Sequence, residues 1–175
     1  MHILIIGGGG VVGQKLARSL AARGQLRGKA IRKITLADIV DPAMVEAPFD
    51  VECVACDISN PASVAATLGA DVDVIYLLAA IVSAHAEEDF DAGLSINLMG
   101  TLNVLQRARE LQTKPVVVFT SSIAVYGGEV PDPILDHSFL NPQTSYGAQK
   151  AMGELLVNDF SRKGYIDGRG FRLPT

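Results

Sequence analysis

The chain has 175 residues, enough for one domain of ordinary size or for one domain and part of a second. Hydrophobic residues make up 49% of the sequence and charged residues 19%, a balance typical of a globular domain and unlike that of a disordered chain. Fifteen Lys and Arg against nineteen Asp and Glu give a net charge of −4, which argues against nucleic acid or an anionic membrane surface as a partner.

No segment of the sequence is typical of a membrane span or a secretory signal. A span needs roughly 18 to 20 apolar residues, and no run approaches that length. The apolar start of the chain has no basic region before it and ends at a glycine cluster. We therefore expect a cytoplasmic protein with no membrane partner.

The start of the chain predicts a strand, a tight turn and a helix. Residues 1–6 are apolar except for His2, a run too short for a helix, and glycines occupy positions 7–10. Over residues 11–23 apolar side chains recur at helical spacing, with Arg18 and Arg23 on the other face. This order is the opening of a βαβ unit.

Strands and helices alternate through the rest of the chain. The pattern predicts, in order, a basic loop (25–33), strands at 34–38 and 51–56, a helix at 60–68, a strand at 72–78, a long helix at 87–111, a strand at 115–120, an irregular connection (131–142), a helix at 145–163 and a sixth strand from 171. This alternation predicts an α/β fold with a mostly parallel sheet. For a Rossmann-like doubly wound sheet that binds a dinucleotide, we expect the strand order 3-2-1-4-5-6. Because the last strand is cut at its carboxyl end, where ligands bind in such sheets, we expect the substrate lobe to be missing or truncated.

The glycine cluster predicts a dinucleotide site. Gly7, Gly10 and Gly13 are spaced G-x-x-G-x-x-G, and Gly8, Gly10 and Gly13 equally fit G-x-G-x-x-G. Residues without a Cβ let the backbone approach a pyrophosphate, whose charge then lies at a helix N-terminus. Asp38 ends the second strand, where a carboxylate can bind both ribose hydroxyls and would repel a 2′-phosphate. Unless Asp38 is an ordinary turn residue, we expect NAD rather than NADP.

Two other strand ends contribute candidate cofactor contacts. Asp57 and Ile58 follow the third strand, where an acid can bind an adenine amino group and an aliphatic side chain can pack on the ring; a loop leading into a helix is the alternative. Ala79 and Ala80 follow the fourth strand, where small residues let a cofactor lie against the backbone. Plain core packing explains these alanines about as well.

Tyr146 and Lys150 form a Y-x-x-x-K pattern on the predicted helix at 145–163. This spacing places the phenol and the ammonium one turn apart on the same face, so the cation can lower a phenol pKa that is normally about 10. Such a tyrosine can act as a general base. Ser121 and Ser122 end the fifth strand, and a hydroxyl there could donate to the oxygen of the substrate.

Taken together, these motifs resemble the extended short-chain dehydrogenase/reductase family, that of the NAD-dependent epimerases and dehydratases. The matching segments run through almost the whole chain in family order and lie at 7–13, 57–58, 97–101, 121–127 and 141–150. The resemblance implies that Ser122, Tyr146 and Lys150 are catalytic and that Asn97 holds the proton-relay helix in shape. It also implies a set of further cofactor contacts, namely Val11, Val12, Leu78, Asn97, Thr120, Tyr146, Lys150, Leu173 and Pro174.

The same resemblance implies a substrate class and an assembly. Residues 145–175 are similar to members of the family that oxidise a four-carbon sugar acid, D-erythronate, at C2, with Ser83, Ser121, Ser122 and Tyr146 as candidate substrate contacts. A nucleotide-sugar epimerase or dehydratase and a catalytically idle NAD-binding domain are the alternatives. The family also implies a homodimer through the two long helices. Turnover by the 175-residue chain without a substrate lobe is doubtful.

The cysteines and histidines predict no metal site. Cys53 and Cys56 lie three apart on a predicted strand, so their side chains point to opposite faces and cannot easily share a metal or a disulfide. His2, His85 and His137 have no ligand spacing.

Overall fold

Six parallel strands form one sheet in the computed structural model, which describes residues 1–174. The strands are β1 (His2–Ile6), β2 (Lys33–Asp38), β3 (Asp50–Ala55), β4 (Val74–Leu77), β5 (Val116–Ser122) and β6 (Asp167–Leu173). Their order across the sheet is β3-β2-β1-β4-β5-β6, with every neighbouring pair parallel. The predicted fold class and strand order are confirmed.

The central strand β1 carries the core of the domain. Its side chains alternate between the two faces of the sheet, with Ile3 and Ile5 in one hydrophobic cluster and Leu4 and Ile6 in the other. All four are at most 1% exposed. Burial of one such side chain stabilises a fold by about 1.5–3 kcal/mol, so this short strand fixes the register of its neighbours.

Helices cover both faces of the sheet. They are α1 (Val11–Arg23), α2 (Pro61–Thr67), α3 (Ser83–Glu88), α4 (Phe90–Gly93), a π-helical segment (Leu94–Gly100), α5 (Thr101–Leu111) and α6 (Ser145–Arg162). Helix α1 packs on the face of Ile3 and Ile5, whereas α2, α5 and α6 pack on the other face. Among the described helices, none is both long and apolar enough to cross a bilayer.

The prediction of one helix over residues 87–111 is wrong. Asp89 has an extended backbone (φ −127°, ψ 89°), and its Oδ1 accepts a hydrogen bond from the N–H of Ala92 (2.9 Å). Helix α3 therefore ends before this residue and α4 begins after it. The next seven residues, Leu94–Gly100, are π-helical before α5 continues the path. A short acidic side chain competes with the helix for the hydrogen bonds of backbone N–H groups. The spacing of apolar residues, on which the prediction rested, gives no sign of this competition.

The basic loop predicted at 25–33 contains a small hairpin. Strands Gln25–Leu26 and Lys29–Ala30 pair antiparallel around Arg27 and Gly28, which both have positive φ (52° and 78°). Two positive φ angles in a two-residue loop fit a type I′ turn, which matches the twist of a hairpin.

Strand β6 begins earlier than predicted. The sequence of residues 167–170 lacks the β-branched residues that mark a strand, so the pattern placed the start at 171. In the structure β6 pairs with β5 over its whole length, from Val116 opposite Asp167 to Ser122 opposite Leu173. Backbone hydrogen bonds to β5 therefore hold residues 167–170 in a strand that their side chains do not favour.

Candidate active site

The glycine turn after β1 is built from close backbone contacts. Gly7 has φ +94°, and a Cβ on it would lie 2.6 Å from the N of Ala79. A Cβ on Gly13 would lie only 2.2 Å from the O of Gly7. Since real Cβ atoms do not approach so closely, both positions require glycine. At Gly10, the N-cap of α1, a Cβ would contact only the O of Gly7 at 3.4 Å.

Asp38 stands at the rim of this turn. One carboxylate oxygen accepts a hydrogen bond from the N–H of Gly9 (2.9 Å) and the other accepts from the N–H of Ile39 (2.8 Å). The carboxylate therefore lies beside the glycine turn at the end of β2, and Asp38 lines a cavity there of about 190 Å³.

Eight of the predicted cofactor contacts line the same cavity. Gly7, Gly10, Asp38, Asp57, Ile58, Leu78, Ala79 and Ala80 are all on its wall. Asp57 is anchored by Ser59, whose N–H (2.9 Å) and Oγ–H (2.7 Å) both donate to Oδ1. Ile58 is 4% exposed and packs under Gly100, where a Cβ would lie 2.7 Å from its side chain. It belongs to the core and only lines the cavity with part of its surface.

A second cavity, of about 250 Å³, lies along the same edge of the sheet. Leu78, Ala80 and Ile81 line both cavities, so the loop after β4 forms a common wall. The second cavity brings together the other predicted residues Val12, Thr120, Ser121, Ser122, Tyr146, Lys150, Leu173 and Pro174. One cleft thus runs from the glycine turn to the Y-x-x-x-K pair, as expected at the carboxyl edge of a parallel sheet.

Ser122 is oriented by the turn that follows β5. Its Oγ accepts a hydrogen bond from the N–H of Ala124 (3.1 Å), at the start of the 3₁₀ turn Ile123–Val125. A serine hydroxyl has one donor and two acceptor sites, so the O–H of Ser122 remains available to donate. Ser121 is 3% exposed and lies next to the carboxylate of Glu154.

Lys150 is buried against a backbone carbonyl and aromatic rings. It is 3% exposed, its Nζ donates to the O of Thr120 (2.9 Å), and Nζ lies 5.6 Å from the centroid of the Tyr146 ring. Burial lowers the pKa of the ammonium from 10.5 to about 8. The group is thus mostly protonated at neutral pH but titrates close to it.

Burial also dominates at the Tyr146 phenol. It raises the pKa of the phenol above its usual value of 10, while a hydrogen bond with Ser122 acts in the opposite direction. The structure therefore shows an upward shift where the sequence predicted a lowered pKa.

Four predicted contacts lie outside both cavities, and one of them is Gly13, which packs against the O of Gly7. Asn97 is 1% exposed and is bonded to the backbone of Ile81 and to Gln149, so the structure places it behind the wall of the cleft and not on its surface. Val11 is 73% exposed at the start of α1. Ser83 is exposed at the start of α3, next to the cavity residue Val82.

The cysteines are separated as predicted. Both are free thiols, with Cys53 packed on the α1 side of the sheet and Cys56 buried in the cluster on the opposite side. Burial raises the pKa of the Cys53 thiol.

Sequence reasoning missed four residues that shape the site. The side-chain amide of Gln14 donates to the O of Gly8 (2.8 Å) and of Ala43 (3.0 Å), which holds the glycine turn. Gly147 lets α6 contact the turn after Ser122, since a Cβ there would lie 2.1 Å from the O of Ala124. Glu87 accepts a hydrogen bond from the N–H of Ser145 (3.0 Å), and Gln149 binds Asn97. Of these four residues, only Gly147 had a signal in the sequence, because a glycine directly after Tyr146 in a predicted helix indicates a close contact.

Fold and site together define a dinucleotide-binding α/β domain with a tyrosine–lysine pair at one end of its cleft. The chain belongs to the NAD dependent epimerase/dehydratase family, whose model matches residues 3–175.

Among similar proteins, the D-erythronate dehydrogenase of Cupriavidus necator is 46% identical over 179 residues, and that of Haemophilus influenzae is 42% identical over 175 residues. Each match covers 100% of this chain and 55% of the relative. The crystal structure of a nucleoside-diphosphate-sugar epimerase from Agrobacterium tumefaciens superposes with a TM-score of 0.96 at 48% identity, over 100% of this chain and 53% of that one. The chain thus spans about half the length of the curated relatives it matches.

Proposed function

We propose that this chain is the NAD-binding and proton-transferring part of a dehydrogenase that oxidises a hydroxyl of a small sugar acid, D-erythronate at C2. One observation carries the proposal: Ser122, Tyr146 and Lys150 line the same cavity, at the end of a cleft that begins at the glycine turn. The similarity to two D-erythronate dehydrogenases over the full chain supports the choice of substrate.

The residues present fit NAD. Gly10 lines the cavity at the start of α1, so a side chain there would fill space that a pyrophosphate needs. The N–H groups of the first turn of α1 have no partner within the helix and would hold the phosphates. Asp38 would bind the adenosine ribose, and its charge favours NAD over NADP. Tyr146 and Lys150 would hold the nicotinamide ribose.

Three side chains at the other end of the cleft have separate roles in the oxidation. Ser122 donates a hydrogen bond to the substrate oxygen, and the phenolate of Tyr146 takes the proton of the substrate hydroxyl. The Lys150 ammonium stabilises the phenolate through its charge. When bound, NAD would supply the acceptor for the hydride that leaves the substrate carbon as this carbon becomes a carbonyl.

Exchange of Tyr146 for Phe tests this assignment in the protein produced from its own gene. Formation of NADH from D-erythronate should fall by about 10²–10⁴-fold, because the general base is lost. NADH affinity, measured by its fluorescence, should change by less than about tenfold, the effect of one lost hydrogen bond. Tyr165→Phe, which removes a hydroxyl just beyond the far end of α6, is the control and should leave both quantities unchanged.

Two other outcomes would replace the proposal. The similarity to a nucleoside-diphosphate-sugar epimerase favours a second candidate, in which the same tyrosine acts but no net NADH forms. Interconversion of UDP-sugars without NADH accumulation would establish that reaction. Binding of NADH without turnover of either substrate class would leave a nucleotide-binding domain alone.

We also propose that the protein is a homodimer through α6 and the neighbouring segment 94–111. Exposed apolar side chains on these elements, Met99, Met152 and Leu155, support this face as the interface. In sedimentation experiments the wild type should have the mass of two chains, and Leu155→Glu the mass of one. Met44→Glu, at an equally exposed position (64%) outside these helices, should remain dimeric.

A further inference from the structure

Three residues form a buried chain of amide groups behind the wall of the cleft. The Oε1 of Gln149 accepts a hydrogen bond from the Nδ2 of Asn97 (2.8 Å). The Oδ1 of Asn97 accepts from the N–H of Ile81 (2.9 Å), and its Nδ2 also donates to the O of Ile81 (3.3 Å). We name Ile81, Asn97 and Gln149 the amide clamp. It joins the loop after β4, the π-helical segment and α6.

The clamp ends beside the two residues proposed for proton transfer. Gln149 directly precedes Lys150 and lies three positions after Tyr146, so the three residues occupy one side of α6. At its other end, Ile81 lines both cavities of the cleft. The clamp therefore links the helix that carries Tyr146 to the wall that faces it.

The surrounding backbone is shaped around this glutamine. A Cβ on Gly93 would lie 2.6 Å from the Nε2 of Gln149, so a larger residue at the end of α4 would displace the glutamine amide. The π-helical segment that follows contains Asn97 and presents it to Gln149. Single π-helical turns inside α-helices often occur at functional sites.

Stability does not explain why a glutamine occupies this position. Gln149 is 2% exposed, and within residues 1–174 its Nε2 is buried without a hydrogen-bond partner. A buried donor without a partner is destabilising. A methionine would fill a similar volume and exchange one unpaired buried donor for another, the N–H of Asn97 that now binds Gln149, while Asn97 would keep its bonds to Ile81.

We propose that Gln149 is a positioning residue, which through Asn97 fixes the rotation of α6 and so aims Tyr146 and Lys150 into the cleft. The proposal rests on the proposed role of Tyr146 as the base. Without the clamp, α6 can turn about its axis, and the phenol loses its fixed place beside Ser122 and Lys150.

Titration of the Tyr146 phenol in the 175-residue chain tests this role. Absorbance of tyrosinate is followed against pH in the wild type and in Gln149→Met, and each curve is corrected with the same protein carrying Tyr146→Phe. The ionisation constant of Tyr146 should change by about three- to tenfold in Gln149→Met, up to one pKa unit, because the phenol leaves the buried position and the hydrogen bond with Ser122 that set its pKa in the wild type. The urea midpoint of this variant should stay close to that of the wild type.

Val157→Ala is the matched control, since Val157 is a buried residue of the same helix that packs in the core away from the cleft. It should lower the urea midpoint and leave the titration of Tyr146 unchanged. Gln149→Asn, one methylene shorter, keeps a polar group but withdraws its oxygen from Asn97. Gln149→Asn should show the same change in the ionisation constant of Tyr146 as Gln149→Met. It also tests the positioning role of Gln149 if the methionine variant does not fold.

An unchanged ionisation constant in the folded Gln149 variants would overturn the proposal. A fall in the urea midpoint like that of Val157→Ala, with an unchanged titration, would do the same, because it would show a purely structural role. The titration uses neither substrate nor NAD. A wild type that produces no NADH from D-erythronate would therefore remove the proposed function, whereas turnover with an unchanged titration would remove the clamp alone.

Discussion

At the glycine turn the cleft is walled by backbone, whereas at the Tyr146 end it is walled by side chains from a strand, a loop and a helix. Gly7 and Gly13 have no room for a Cβ, because the backbone of Ala79 contacts the first and the O of Gly7 contacts the second. Tyr146 and Lys150 depend on the orientation of α6, which contacts outside the cleft determine. Substitutions at the nucleotide end should therefore act mainly through steric clashes that lower stability. Substitutions at the catalytic end should act mainly through the charge and position of Tyr146 and Lys150.

The largest expected effect is that of Gly13→Ala. Its Cβ would meet the O of Gly7, so the turn must open, at a cost of about 3 kcal/mol in the free energy of unfolding measured with urea. Gly10→Ala is the matched control, since its Cβ meets only the O of Gly7 at 3.4 Å. It should change stability by less than about 1 kcal/mol and weaken NADH binding about tenfold by filling the cavity. Equal stability of the two variants would mean that backbone packing does not fix this turn.

A smaller effect is expected at the catalytic end, where the pH dependence of stability should depend on Lys150. Its pKa is lowered to about 8 in the folded chain, so between about pH 8 and 10.5 the unfolded chain holds the proton that the folded chain has released. The free energy of unfolding of the wild type should therefore rise relative to that of Lys150→Met, by about 2 kcal/mol between about pH 7 and pH 10.

Urea unfolding across this pH range measures the difference. Lys163→Met, at an exposed lysine just after the same helix, should show the wild-type dependence on pH. Parallel stability curves for the wild type and Lys150→Met would contradict a buried lysine with a lowered pKa.

The two ends of the cleft also differ in how far the sequence predicts them. The glycine turn could be predicted because strand, turn and helix are adjacent in the chain and each has a local signature. Tyr146 and Lys150 were predicted by their spacing on one helix. The strand order was predicted as that of a doubly wound dinucleotide-binding sheet, which the glycine turn and the alternation of elements together indicate.

The supports of the catalytic end could not be predicted in this way. The bond between Asn97 and Gln149 joins residues far apart in the chain, and it requires a π-helical segment where the pattern predicted a regular helix. Burial of the Tyr146 phenol reversed the expected direction of its pKa shift. Both depend on tertiary contacts, for which periodicity carries no signal.

The shared wall of Leu78, Ala80 and Ile81 has a consequence for the design of inhibitors. Two small fragments, one in each cavity, would lie on either side of the same short loop, so a short linker could join them along it. Once the first fragment is bound, the linker keeps the second fragment at a high local concentration. The joined molecule should therefore bind more tightly than either fragment alone. The linker length that gives the highest affinity would then report the distance between the two cavities.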